Sequence, residues 1–257
     1  VARGDLLKGG VVAVLLVAGG LAAYAGMQAV KVEEAALRDA EIQAELESIF
    51  AADQRIRDLY LGKIPDTEER TEERLAWMRS ERDRLDRFHV DRIQTIVAEV
   101  GWPAISRFGP VGSQTACVVA VHAVHDYEFM ARSADWMKPL VEAGDLDPEC
   151  WAQVTDRVLV HAGKPQQFGT QFRGEEIDGV FHWGIHPVAD PAQLLARRDA
   201  AGLKPYAEYL AWQRADYRIP DSAPPFPDEP VIPGLTPAQT PASDASAAPS
   251  APPGEAP

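Results

Sequence analysis

An unbroken stretch without charge, residues 9–26 (GGVVAVLLVAGGLAAYAG), constrains this chain more than any other feature. So apolar a segment must leave water, and it lies at the short edge of the about 20 residues a helix needs to cross a bilayer. Arg3 and Lys8 precede it, partly offset by Asp5. Two readings fit. In the preferred one the run is an uncleaved anchor, and residues 9–30 hold the chain in a bacterial cytoplasmic membrane by a single pass. In the other it is a signal peptide cut after Ala23-Tyr24-Ala25, which fits the small-residue rule for cleavage, and the chain is secreted. Both readings place the rest of the chain outside the cytoplasm, because the flanking basic residues stay inside. No cysteine directly follows the run, which excludes a bacterial lipid anchor.

The opposite end is also set apart by composition. Residues 219–257 are rich in Pro, Ala and Ser, and no Lys or Arg follows Arg218. Such a stretch buries too little apolar surface to offset chain entropy, so a disordered, extended, acidic tail is expected. Residues 1–27 and 219–257 thus bracket one domain, residues 28–218. The formal net charge of −14 argues against nucleic acid as a partner, since phosphate binding needs a basic surface.

The bracketed domain reads as mainly α. Residues 28–61 carry Leu46, Ile49, Phe50, Asp53, Arg57 and Tyr60 at helical spacing, with Gly62 and Pro65 as the stop. A second helix is expected from Thr67 to about Val100. Its first half, residues 68–92, is so dense in both charge signs that it reads as a solvated face. A third helix is expected from Ser113 past Met130 to about Lys138. Asp147, Pro148 and Glu149 form an N-terminal signal for a fourth, with Gly163 beyond its end. Residues 168–186 have no helical period and read as a small β hairpin turning at Asp178-Gly179. Asp190-Pro191 and Gly202 bracket a further helix, and residues 205–215 form the last.

The chemistry concentrates in Val118–Phe129. On one continuous helix, His122, His125 and Asp126 share a face beside Val118 and Phe129. Two imidazoles and a carboxylate suit a transition metal. They equally suit an acid–base pair in which the carboxylate orients an imidazole. His182 and His186 could add ligands, or are ordinary loop histidines; His89 and His161 are given no role. Asp53 inside an apolar stripe needs a partner, and Arg57 one turn later is the nearest. With Asp91 and the Asp156-Arg157 pair it lines an interhelical pocket or joins a structural ion-pair network. Phosphate-loop and nucleophile-elbow patterns do not occur. Cys117 and Cys150 lie on different expected helices, and outside the cytoplasm they could pair.

Several short motifs recur together over residues 53–209: Asp53-Gln54 with Arg57; Gly101-Trp102-Pro103; His122-Ala123 with Asp126; Asp156-Arg157; and Gly163 with Gln166 and Gly169-Thr170-Gln171. Arg197-Arg198 and Gly202-Leu203 follow. In these the chain resembles an uncharacterised bacterial domain family of unknown function. The family pattern has polar residues where this chain has Val121 and Val124, and Tyr where it has Phe168. The resemblance implies one polar site containing Asp53, Gln54, His122, Asp126, Asp156, Arg157, Gln166, Thr170 and Gln171. It implies no activity or cofactor. Three functions are therefore expected in turn. The first is a small-molecule or peptide-binding module with Asp53, Gln54, Arg157, Gln166, Thr170 and Gln171 in its pocket. The second is a hydrolase, metal-dependent or not, using His122 with Asp126 and Asp156. The third is a structural envelope protein.

Overall fold

The computed structural model describes residues 4–235, with side chains described for Tyr24 and for residues 26–235. Two units divide between Glu45 and Leu46. The first holds the part of helix α1 (Gly4–Tyr60) up to Glu45, on which Met27, Val30, Val32 and Leu37 are exposed. Among the described residues no helix is long and apolar enough to cross a membrane. Apart from Tyr24 and Gly26, the run on which the anchor expectation rests lies outside the residues whose side chains are described.

The second unit begins with the apolar stripe of α1. Leu46, Ile49, Asp53 and Ile56 recur at helical spacing and are all buried, as the periodicity requires. Helix α2 (Glu72–Val100) starts later than expected. Its cap is Thr71, whose side chain accepts from the Arg74 backbone N–H at 3.2 Å. The sequence up to Thr71 is tied instead by Asp66, which takes a two-pronged bond from Arg74 at 2.8 Å. Gly101, at φ 79°, ends α2 in a conformation that suits glycine.

The third expected helix is two helices. Helix α3 (Ile105–His122) begins earlier than Ser113, bends at Gly109-Pro110, and stops at His122. Helix α4 (Tyr127–Glu142) then starts afresh, because the Asp126 carboxylate accepts the Phe129 backbone N–H at 2.9 Å. An aspartate three residues before a helical N–H is a cap, and here that local preference overrides the apolar continuity of the segment. His122, His125 and Asp126 therefore do not share one helix face. Helix α5 (Pro148–His161) opens as its sequence dictates: Asp147 accepts from the Glu149 N–H at 2.9 Å and Pro148 occupies the first turn. Helix α3 packs against α2, α4 and α5. A disulfide between Cys117 and Cys150, with Cα atoms 5.7 Å apart, ties α3 to α5.

Strands β1 (Phe172–Ile177) and β2 (Val180–Ile185) form the expected antiparallel hairpin, in register from Phe172 opposite Ile185 to Ile177 opposite Val180. Both residues of its tight turn, Asp178 (φ 51°) and Gly179 (φ 78°), take positive φ, which matches the twist of the flanking strands. Helices α6 (Leu194–Ala200) and α7 (Tyr206–Asp216) follow. Phe172, Trp183, Ile185, Leu194, Tyr206 and Tyr209 build a shared core between hairpin and helices.

The tail expected from residue 219 does not start there. Ala223, Phe226 and Ile232 are buried. Trp183 N–H donates to Pro224 O at 3.1 Å, and Ile185 N–H donates to Glu229 Oε1 at 3.2 Å. Residues 220–235 thus cover strand β2, whose outer donors would otherwise be a bare edge. Residues 236–257 lie outside the described ones.

Candidate functional site

Three helices bring four side chains to one point. Asp53 and Arg57 sit one turn apart on α1, Asp86 projects from α2, and His122 ends α3. Arg57 donates from Nη1 to Asp53 Oδ1 and from Nη2 to Asp86 Oδ1, each at 2.7 Å. His122 Nδ1 lies 3.1 Å from the same Asp53 oxygen, and Gln54 Nε2 donates to Asp53 Oδ2 at 2.8 Å. Asp53, Asp86 and His122 each bring one ligand-type atom within 4.8 Å of the others. That is metal-set spacing, yet the Arg57 guanidinium is already bonded to both carboxylates and supplies the compensating charge. His125 and Asp126, expected as ligands with His122, are not in this set.

Protonation follows from the surroundings. Burial pushes the Asp53 carboxyl up, but the His122 imidazole bonded to it, the Arg57 charge and the Gln54 bond together hold it below its ordinary value. Burial, then the Arg57 charge, pushes the His122 imidazole down, against the pull of Asp53 and Asp86. A neutral imidazole facing an ionised carboxylate carries its proton on Nδ1 and donates it. Nε2 keeps its lone pair, and among the described residues no protein group bonds to it. His89, buried on α2, is also pushed down, chiefly by burial, and its Nδ1 has no hydrogen-bond partner.

The cluster forms part of the wall of a cavity of about 660 Å³, lined among others by Gln54, Arg57, Asp86, His122, Arg157 and Tyr217. That volume is within the range of small-molecule sites. Asp53 stands behind the wall, where it orients Arg57 and His122. His125 also lines the cavity.

A second polar group lies around Asp156 on α5, and its bonding is of another kind. Its fully buried carboxylate accepts the backbone N–H groups of Gln167 (2.7 Å), Phe168 (3.0 Å) and Thr170 (3.0 Å), and the Thr170 hydroxyl (2.9 Å). Burial raises its pKa against the pull of these donors. Gln166 donates to the carbonyls of Gln171 (3.0 Å) and His186 (2.9 Å) and accepts from the Gln171 N–H (2.8 Å). Gly169, at φ 70°, brings the loop so close to Tyr206 that a Cβ there would meet its hydroxyl at 2.7 Å. The polar atoms of this group are consumed in holding the 166–171 loop. One thread leaves it: Gln171 Oε1 accepts Arg157 Nε at 2.8 Å, so the loop positions a cavity residue.

A family model described as a family of unknown function (DUF6624) matches residues 40–219. The chain belongs to that family. No curated protein and no solved structure matches it significantly. Within this DUF6624 domain, the single polar site expected from the motifs is divided. Asp53, Gln54, His122 and Arg157 reach the cavity or the cluster in its wall. Asp156, Gln166, Thr170 and Gln171 build the loop. Asp126 belongs to neither: it caps α4 and accepts from Gln94 Nε2 at 3.1 Å. His122 takes Asp53 as its partner, so the expected grouping of His122 with Asp126 and Asp156 is not the one these hydrogen bonds assemble. His182 bonds the Pro225 carbonyl at 2.8 Å, and Asp91 is exposed. Asp86 and Tyr217 went unnoticed in the sequence. Asp86 lies in the stretch whose charge density predicts a solvated face, yet Asp86, His89, Val90 and Ile93 recur at helical spacing and are all buried. That stripe was the available signal.

Proposed function

We propose that this domain binds a small polar molecule in the cavity beside Arg57, His122 and Arg157, and that it does so outside the cytoplasm. The observation that carries the reading is the cavity wall itself, where His122 and Arg157 keep hydrogen-bonding capacity that no other group among the described residues uses. Neither His122 Nε2 nor the Arg157 fork is sealed from water, so a polar ligand entering a cavity of this size can take the place of water on them. The extracytoplasmic placement is supported by the uncharged run at residues 9–26 and by the Cys117–Cys150 disulfide, a bond at home in an oxidising compartment. A thermal-shift screen of small polar compounds against the full chain tests the binding. A ligand at 100 times its Kd stabilises the fold by about 2.7 kcal/mol. The shift is expected to disappear in His122→Gln and to persist in Asp126→Ala. A shift equal in all three proteins would place binding elsewhere. Thiol trapping in intact cells tests the compartment, since a reduced Cys117–Cys150 pair would argue against it.

One observation favours hydrolysis as a second reading. His122 is oriented by Asp53 and keeps Nε2 free, the arrangement of a general base that takes a proton from water. Among the described residues that line the cavity there is no Ser, Thr or Cys, so water itself would be the nucleophile. This reading predicts turnover that vanishes in His122→Gln and Asp53→Asn. It does not require a metal, because Arg57 already balances the two carboxylates.

A further inference from the structure

The charges on the cavity wall nearly all cancel in pairs. Asp86 is bonded by Arg57 and Asp216 by Lys63, both at 2.7 Å; Asp58 lies 4.0 Å from Lys63, and Asp83 lies 3.1 Å from Arg82. Arg87 and Arg157 are the exceptions, and of the two Arg87 is exposed to solvent while Arg157 is buried. It is 8% exposed and lines the same cavity, yet among the described residues it has no carboxylate partner. Its Nε is occupied by Gln171, which is itself fixed by the Gln166 and Thr170 bonds. Its two Nη groups, the fork that matches a carboxylate or phosphate, have no acceptor among the described residues. A guanidinium cannot discharge itself by losing a proton, so a buried one without a counter-charge is costly. Burial above all disfavours its charged form; Tyr217 and Tyr209 pull the other way, and the nearby Arg57 cation adds to the effect of burial. In a chain of net charge −14, an acid within bonding reach of the Arg157 fork would be easy to supply, yet among the described residues none pairs with it.

We infer that Arg157 is the anchor for an oxyanion, and that the small polar molecule bound in the cavity carries a carboxylate or phosphate group at the end that meets its Nη fork. This rests on the cavity reading above and narrows it. The Gln166–Gln171 loop acquires a purpose in the same step: it holds the guanidinium plane still, so that little side-chain freedom is lost when the anion arrives. Tyr217, on the same wall, is placed to cover the ligand's body.

The test uses the full chain, with inorganic phosphate and succinate as probes at ionic strength matched with chloride, beside a set of neutral polyols and sugars. Thermal shift and calorimetry are recorded for wild type, Arg157→Gln and Arg157→Lys. Phosphate or succinate is expected to bind wild type about tenfold to hundredfold more tightly than Arg157→Gln, the weight of one charge-assisted contact. Arg157→Lys, which keeps the charge but loses the fork, is expected to fall between. The ratio of the two affinities says whether the group is a phosphate or a carboxylate. Should the variants fold poorly, the wild-type Arg157 side-chain N–H resonances still answer, since they must shift on titration. Equal anion effects in wild type and Arg157→Gln, or unmoved Arg157 resonances, would overturn the inference. If neutral compounds bind and anions do not, the inference fails and the cavity reading stands. If neither class binds, both fail together.

Discussion

The two polar groups of this domain contain similar residues and do opposite things with them. Around Asp156 every contact found is inward, and the carboxylate is ringed by N–H and O–H donors from one loop. Around Asp53 the contacts are shared among three helices and stop at a cavity, and among the described residues nothing bonds His122 Nε2 or the Arg157 fork. A buried carboxylate therefore says little about function. What distinguishes a scaffold from a site is whether hydrogen-bonding capacity is left over, and where it faces. The two groups are coupled, because Gln171 belongs to the first and holds Arg157 of the second.

The largest expected effect is on the scaffold. Asp156→Ala leaves several buried N–H groups without an acceptor, at about 1–3 kcal/mol each and not fully additive, so a loss of about 4 kcal/mol is expected in urea unfolding. Proteolysis should then cut within residues 166–171 first. A loss under about 1 kcal/mol would mean that the loop is held by something other than Asp156. The disulfide comes next. It joins α3, which carries His122, to α5, which carries both Asp156 and Arg157. Closing a loop of sequence separation 33 is worth about 3.7 kcal/mol, so Cys117→Ser with Cys150→Ser should lower the urea midpoint accordingly. Since one bond spans both groups, it should weaken loop protection and cavity binding together. Loss of only one would show that the groups are mechanically independent.

The comparison sharpens further with pH. His122 and His89 both have imidazoles pushed below the ordinary value of 6.5 in the folded chain, chiefly by burial. On acidification the unfolded chain takes up these protons first, near 6.5, and the folded chain only later. Their contribution to stability is therefore whole above that pH and is lost as pH falls through 6.5 toward the folded values. Asp53, held below its ordinary 3.8, adds a further loss at still lower pH. Thermal unfolding between pH 7.5 and 5 should show this decline in wild type, and it should be shallower in His122→Gln and His89→Phe. A profile unchanged by both substitutions would show that these imidazoles titrate alike in the folded and unfolded chains, and would remove the depressed His122 pKa that supports the general-base reading.

How much of this was legible in the sequence depends on whether the signal was local. The cap at Asp147-Pro148, the Asp178-Gly179 turn and the stripe through Leu46, Ile49 and Asp53 concern neighbours within a turn or two, and each element formed where its residues point. The pairing of Asp53 with Arg57 was visible for the same reason. The partnership of Asp53 with His122 and of Arg57 with Asp86 spans long stretches of chain, and no periodicity encodes it. Asp86 was hidden because charge density on α2 was read as solvation, when one face of the same helix is buried. Residues 220–235 were hidden because proline-rich composition says only that a segment lacks helix, not that it lacks a surface to cover.

Asp126 is the residue on which sequence and geometry part most clearly, and it gives the smallest and cleanest test. By spacing it belongs with His122. By hydrogen bonding it is a cap, with one oxygen on the Phe129 N–H and the other on Gln94 Nε2. Removing an aspartate cap costs about 1 kcal/mol, so Asp126→Ala should lower stability by that amount and fray the first turn of α4, seen as faster amide exchange at Phe129 and Met130. Asp126→Ser, which can still cap, should recover most of it. Anion binding at Arg157 should be unchanged in both. If instead Asp126→Ala abolishes binding at full stability, Asp126 serves the cavity directly, and the division between a closed scaffold and an open site must be redrawn with His122 and Asp126 on the same side.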